Sequence, residues 1–231
     1  MQEQLWMDLA NGNQINRHQV YDSLPARMRM YSERVAYYVQ ILYHSALDMG
    51  IYGNDAKLSR ERQPYVWESV KLFDIGYAAV PDFLKQKPSL TAEEHRIMER
   101  HTTDGFAIVL GNPVEEEFFS LSEEEKLIIS MGMDAAIGHH ERWDGRGYPN
   151  HERGSAAPIL GRMCAICNAY DKQTSTRLYP EGMPHEFACC EIVCESGFAY
   201  DPELVRAFIE AMPLFKKALC RSRGHELGGE S

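Results

Sequence analysis

The sequence predicts an all-α protein, a single multi-helix bundle domain. Apolar residues recur at spacings of three and four along most of the chain, two capping-box signatures open apolar stretches, and no convincing strand pattern interrupts them.

Taken in order, Val35, Tyr38, Leu42, Ala46 and Met49 form the first stripe, from Tyr31 onward. Val66, Val70, Phe73 and Tyr77 form a second. Thr91-Ala-Glu-Glu94 caps a third helix that carries Met98, His101, Gly105 and Ile108 along one face. Ser122-Glu-Glu-Glu125 repeats the signature before KLIISMGMDAAIGHH. Segments 155–175 and 184–195 read as further helices, and Asp201-Pro202 as the cap and first residue of the last. Stretches 50–55, 111–114, 145–154 and 178–184 read as loops. The expected division is an N-terminal extension over 1–26, a domain over 27–220 and a disordered tail over 221–231.

Composition bounds the function. A chain of 231 residues with 44% hydrophobic and 25% charged content suits one large globular domain. A net charge of −10 argues against nucleic-acid polymers and anionic membrane as partners. No apolar run reaches the roughly 20 residues of a membrane span, and the start lacks a signal-peptide core, so a cytoplasmic protein is expected. The six cysteines (164, 167, 189, 190, 194, 220) read as free thiols, because they sit in apolar helical segments rather than in zinc-binding loops.

The stretch HHERWDGRGYP, His139 to Pro149, is the densest in chemistry. Helical neighbours point about 100° apart, so His139 and His140 are not expected to chelate one ion comfortably; each suits a different ion or pocket edge. Gly145 and Gly147 free the following backbone, and Pro149 biases Tyr148 toward extended geometry. Asp74, His101, His139 and His140 form an acceptable set for a transition metal. From spacing alone, a metal site and satisfied core histidines remain equal readings.

Several ordered blocks then resemble the HD-GYP family of bacterial signalling phosphodiesterases, over about residues 27–215. They are VPDFLKQKPSLTAEEHRIMERHTTDG (80–105), HHERWDGRGYP, NAYDKQTSTRLY (168–179) and GFAYDPELVRAF (197–208). The resemblance implies an all-helical domain with two or three iron or manganese ions that hydrolyses cyclic di-GMP or related cyclic dinucleotides. Metals serve by lowering the pKa of water and clamping phosphate oxygens. By position, Asp74 matches the Asp of the HD pair (and the catalytic carboxylate of an active member), His101 a further ligand, and His139 and His140 the paired histidines. Arg177 matches a phosphate-gripping arginine.

Four family positions are substituted. Phe73 stands for the His of HD, Tyr77 for the following lysine, Tyr31 for the upstream ligand histidine, and Asn168 for the late ligand aspartate. Asp171 lies one turn from Asn168, about 5 Å too far along the helix to replace it. The resemblance therefore implies one iron or manganese ion at most, or none. The leading reading is a degenerate member acting by binding, either to a cyclic dinucleotide or to a GGDEF-type partner. Arg142, Trp143, Asp144, Gly145, Arg146, Gly147, Tyr148 and Pro149 would form the partner loop. The same Trp143 and Tyr148 suit plain packing equally well. An active phosphodiesterase with a rearranged metal set comes second, and another one-metal HD-scaffold enzyme third.

Overall fold

A computed structural model describes residues 2–53, 57–113, 115–175 and 182–227, with side chains at 115, 116 and 224–227 left out. The helices are α1 (Gln2–Asn11), α2 (Arg17–Ser23), α3 (Ala26–Asp48), α4 (Val66–Val70), α5 (Asp82–Lys85) and α6 (Ala92–Glu99). They continue with α7 (His101–Leu110), α8 (Glu115–Ser120), α9 (Glu123–Gly138), α10 (Ile159–Thr174), α11 (His185–Cys194) and α12 (Pro202–Leu227). Among the described residues there is no strand, only isolated bridges. The all-α expectation holds.

The main core lies between α3, α10 and α12. Val35, Leu42 and Ala46 of the first stripe are fully buried there, against Leu160, Met163, Ile166 and Tyr170 of α10 and Phe208 and Phe215 of α12. Tyr38 stacks on Phe215 at 5.0 Å. Both capping boxes form: Thr91 and Ser122 each accept from the amide three residues on, and Glu94 and Glu125 return the bond. Asp201 accepts from the Glu203 and Leu204 amides at the start of α12. Cys164, Cys167 and Cys189 are buried free thiols, while Cys190, Cys194 and Cys220 are exposed free thiols.

Three expectations need correction. The second stripe is not one helix: α4 stops at Val70, and a 3-10 turn over Ile75–Ala78 follows. The third splits at Arg100 into α6 and α7. The last helix runs past residue 220 to Leu227, because Ala218 and Leu219 are buried and Arg223 donates to the Thr174 carbonyl at 2.9 Å. Residues 228–231 lie outside the described residues. The N-terminal 26 residues, unplaced by the sequence, build part of a second core: Leu5, Ile15, Tyr21 and Leu24 pack with Leu72, Ile75, Ile108 and Ile129.

Candidate metal centre

The break after α4 is what creates the site. The chain turns through Phe73 and Asp74, whose backbone leaves the helical region (φ −112°, ψ 21°). It is then pressed against the start of α7, where a Cβ on Gly76 would collide with the His101 carbonyl oxygen. Only glycine permits that approach. It brings the Asp74 carboxylate to 3.6 Å from His101 Nε2.

The two histidines after α9 approach from the other side. Because α9 ends at Gly138, His139 is the cap residue and His140 lies beyond the helix. The 100° separation expected between them therefore does not apply. Ring centroids of His139 and His140 are 4.3 Å apart, and one ligand atom each from His101, His139 and His140 fall within 4.8 Å of one another. The three ligand atoms are thus close enough to share one ion, where helical spacing alone set the pair at different ions or different edges of one pocket.

Hydrogen bonds fix the tautomers. His101 Nδ1 lies 2.7 Å from the Met98 carbonyl, and His139 Nδ1 lies 2.9 Å from that of Ala136. Carbonyls only accept, so both Nδ1 atoms carry protons and both Nε2 atoms present lone pairs. Those two Nε2 atoms face each other at 3.2 Å. Facing lone pairs repel unless a cation intervenes. Burial, then the neighbouring His101 and the Lys172 ammonium, hold the His139 pKa well below its ordinary value, so His139 itself does not supply that cation as a proton. His140 is shifted the same way, by burial first and then by both other histidines. The spacing suits two nitrogens on one transition-metal ion, where bond lengths near 2.1 Å put neighbouring ligands about 3.0–3.4 Å apart. The donor set fits one metal: His101, His139 and His140, with Asp74 beside them.

The opposite half is filled with ring carbon. Phe73 is fully buried, edge-on to His139 at 5.1 Å and tilted against Tyr31 at 5.6 Å. The Tyr31 hydroxyl donates to Asn168 Oδ1 at 2.5 Å. Tyr31, Phe73 and Asn168, three of the four positions that the sequence reads as departures from the family pattern, thus form one contiguous block. Tyr77 lies apart, half-buried, with Lys85 Nζ 5.1 Å above its ring. Asp171 is held by the Arg34 guanidinium at 2.9 and 3.1 Å and turns away from any ligand role. Arg177 lies outside the described residues.

The loop from Arg142 to Pro149 folds back on the domain. Trp143 and Asp144 amides donate to the carbonyls of Ala199 and Phe198. Trp143 is half-buried, with the Arg162 guanidinium 5.9 Å from its ring. Arg142 clamps Asp144 with two bonds and holds its carboxyl down to about 2. Gly145 takes a positive φ of 77°, a conformation that glycine adopts without strain. Tyr148 stacks on His140 at 4.6 Å and forms the roof of the site. Of the eight loop residues, Arg146 alone is exposed.

Sequence reasoning missed Glu141. Its carboxylate, buried at 3% exposure, accepts from the Asn150 and Glu152 amides at 2.7 and 3.0 Å and so fixes the loop beneath Tyr148. An acid placed directly after two histidines was the available signal.

Fold and donor set together define an all-helical domain with a histidine-rich cluster that could hold a metal ion, at the meeting of the turn after α4 with α7 and α9. Comparison with known proteins gives it a family. The pattern of the HD domain family matches residues 50–204, and the chain belongs to that family. A protein of Thermotoga maritima named cyclic di-GMP phosphodiesterase is 40% identical over 60% of this chain and 35% of its own length. One of Vibrio cholerae with the same name is 34% identical over 62% of this chain and 28% of its own. A 3'3'-cGAMP-specific phosphodiesterase of Vibrio cholerae is 29% identical over 89% of this chain and 36% of its own. These names agree with the HD-GYP resemblance. The chain spans about a third of the length of these relatives. Among the described residues no helix is long and apolar enough to cross a membrane.

Proposed function

We propose that this protein acts in cyclic-dinucleotide signalling mainly by binding, with hydrolysis lost or strongly reduced. The observation that carries the reading is the block Tyr31–Phe73–Asn168, which occupies the half of the site where the family places ligands for a second ion. Its relatives' names supply the ligand class: cyclic di-GMP or the related cyclic GMP-AMP. His101, His139, His140 and Asp74 would hold one iron or manganese ion, which supplies Lewis acidity to a phosphate oxygen. The chain's own groups do the rest. The carbonyls of Met98 and Ala136 keep the Nε2 lone pairs of His101 and His139 directed inward. Phe73 excludes water from the flank of His139, where hydrolysis would need it. Tyr148 offers a ring above His140. Nucleotide binding is favoured over a GGDEF-type partner, because of the eight loop residues Arg146 alone is exposed.

The test is anaerobic purification with iron or manganese, metal analysis, and incubation with cyclic di-GMP. We expect no more than one ion per chain, a ligand-induced rise in melting temperature, and no accumulation of linear pGpG or GMP. Two tightly held ions, or multiple turnover, would instead establish an active phosphodiesterase with a rearranged metal set.

A further inference from the structure

Away from the metal centre, a cavity of about 430 Å³ opens between α3, α4 and α12, within the size range of small-molecule sites. Its surfaces are aromatic. Tyr38 is buried at 2% exposure and backed by Phe215, with Tyr37 and Trp67 also lining the space. Tyr37 is 42% exposed and Met30 51%, so a flat apolar face is presented rather than spent.

Charge in the cavity is resolved residue by residue. Glu33, its one acid, already accepts from the Tyr21 hydroxyl at 3.2 Å. Arg34 has its fork on Asp171 at 2.9 and 3.1 Å. Arg221, exposed at the rim, makes no ion pair among the described residues. On a chain of net charge −10, a guanidinium beside aromatic faces, with no ion pair among the described residues, is a local departure from the general field. Guanidinium favours carboxylate and sulfonate groups through paired donors, and aromatic faces favour flat rings.

We propose that this cavity is a second binding pocket, for a planar aromatic anion, with rings against Tyr37, Tyr38 and Trp67 and its acid group on Arg221. None of the residues that converge at the metal centre lines it, and the proposal does not rest on the nucleotide-binding reading.

The test uses the full chain with 1-anilinonaphthalene-8-sulfonate, followed by its emission and by energy transfer from tryptophan. Saturable binding to one site is expected. Arg221→Glu, an exposed change that leaves the core untouched, should weaken it tenfold or more, and Tyr37→Ala comparably. Trp67→Phe should keep binding and lose most of the energy transfer, because Trp67 is the donor in the pocket. 2-Naphthoate should displace the probe where the neutral 2-naphthalenemethanol does not. An unchanged affinity in Arg221→Glu, or equal displacement by the neutral compound, would overturn the proposal.

Discussion

The Tyr31 hydroxyl and the Asn168 side-chain oxygen meet at 2.5 Å across the interface of α3 and α10, both buried. Three residues further along each helix, Arg34 meets Asp171. The two bonds are rungs of one ladder, each joining residues 137 positions apart. The two residues are therefore coupled: the tyrosine hydroxyl satisfies the amide oxygen. Tyr31→Phe should cost about 1–3 kcal/mol, the penalty of stranding a buried acceptor. Adding Asn168→Leu should recover part of that loss. Urea unfolding of both single variants and the double variant measures it; purely additive losses would mean the bond contributes nothing.

The aromatic block gives a second expectation. Phe73→His alone removes a buried ring and should cost about 2–4 kcal/mol in metal-free protein. Together with Tyr31→His and Asn168→Asp it would, on the proposed reading, restore the ligand types that the resemblance implies on that side. The triple variant should bind a second manganese ion and regain stability in its presence, because a metal that binds only the folded state stabilises it. Metal analysis and melting with and without manganese decide this. A triple variant that folds yet holds a single ion would show that more than these three side chains closed the second site.

Gly76 shows that metal-centre geometry depends on backbone contact. Gly76→Ala would drive a methyl group into the His101 carbonyl, and forced separation of packed backbones costs about 1–3 kcal/mol or more. Because Asp74 and His101 are brought together by that contact, manganese affinity should fall more than tenfold. Unchanged metal binding would mean the approach of Asp74 is set elsewhere.

The difference between what was and was not legible in the sequence follows from the range of each interaction. The α3 stripe and both capping boxes rest on residues three or four apart, and they appear as read. The break after α4 was invisible, since the stripe Val66–Val70–Phe73–Tyr77 looks continuous and only contact with α7 interrupts it. His139 and His140 looked divergent because the sequence reads the helix as ending with the pair, whereas it ends before them, at Gly138. The donor set Asp74, His101, His139 and His140 was legible as residue types matching a family. The pairing of Tyr31 with Asn168 was not, because no local pattern links two distant helices. The N-terminal helices contribute so few apolar residues, Leu5, Ile15, Tyr21 and Leu24, that their packing left no periodic trace.

Glu141 should prove to be a positioning residue for the roof of the site. Glu141→Ala strands two backbone amides and should cost about 2–4 kcal/mol. Glu141→Gln keeps one acceptor oxygen and should cost less than half as much. Release of the loop should free the Tyr148 ring from His140, which would appear as a shift of the tyrosine ring resonances in NMR spectra. A destabilised Glu141→Ala protein with those resonances unmoved would confine Glu141 to a purely structural part.

The buried histidines give the metal-free protein a defined pH response. His139 and His140 have pKa values held well below 6.5 in the folded state, whereas in the unfolded chain they titrate near about 6.5. As pH falls through that value the unfolded chain takes up protons that the folded one refuses. Stability is therefore fully present above about pH 7 and lost progressively below 6.5, by up to about 1.4 kcal/mol per pH unit for each histidine. Bound metal steepens the dependence with the same sign, since protons compete for the ligand nitrogens. Unfolding by urea with a chelator present, at pH 7.5, 6.5 and 5.5, should show a slope smaller by about one proton in His140→Gln than in the parent. Equal slopes would mean that His140 protonates freely in the folded protein, and the lone pairs gathered at the centre would then be open to water rather than kept for a metal.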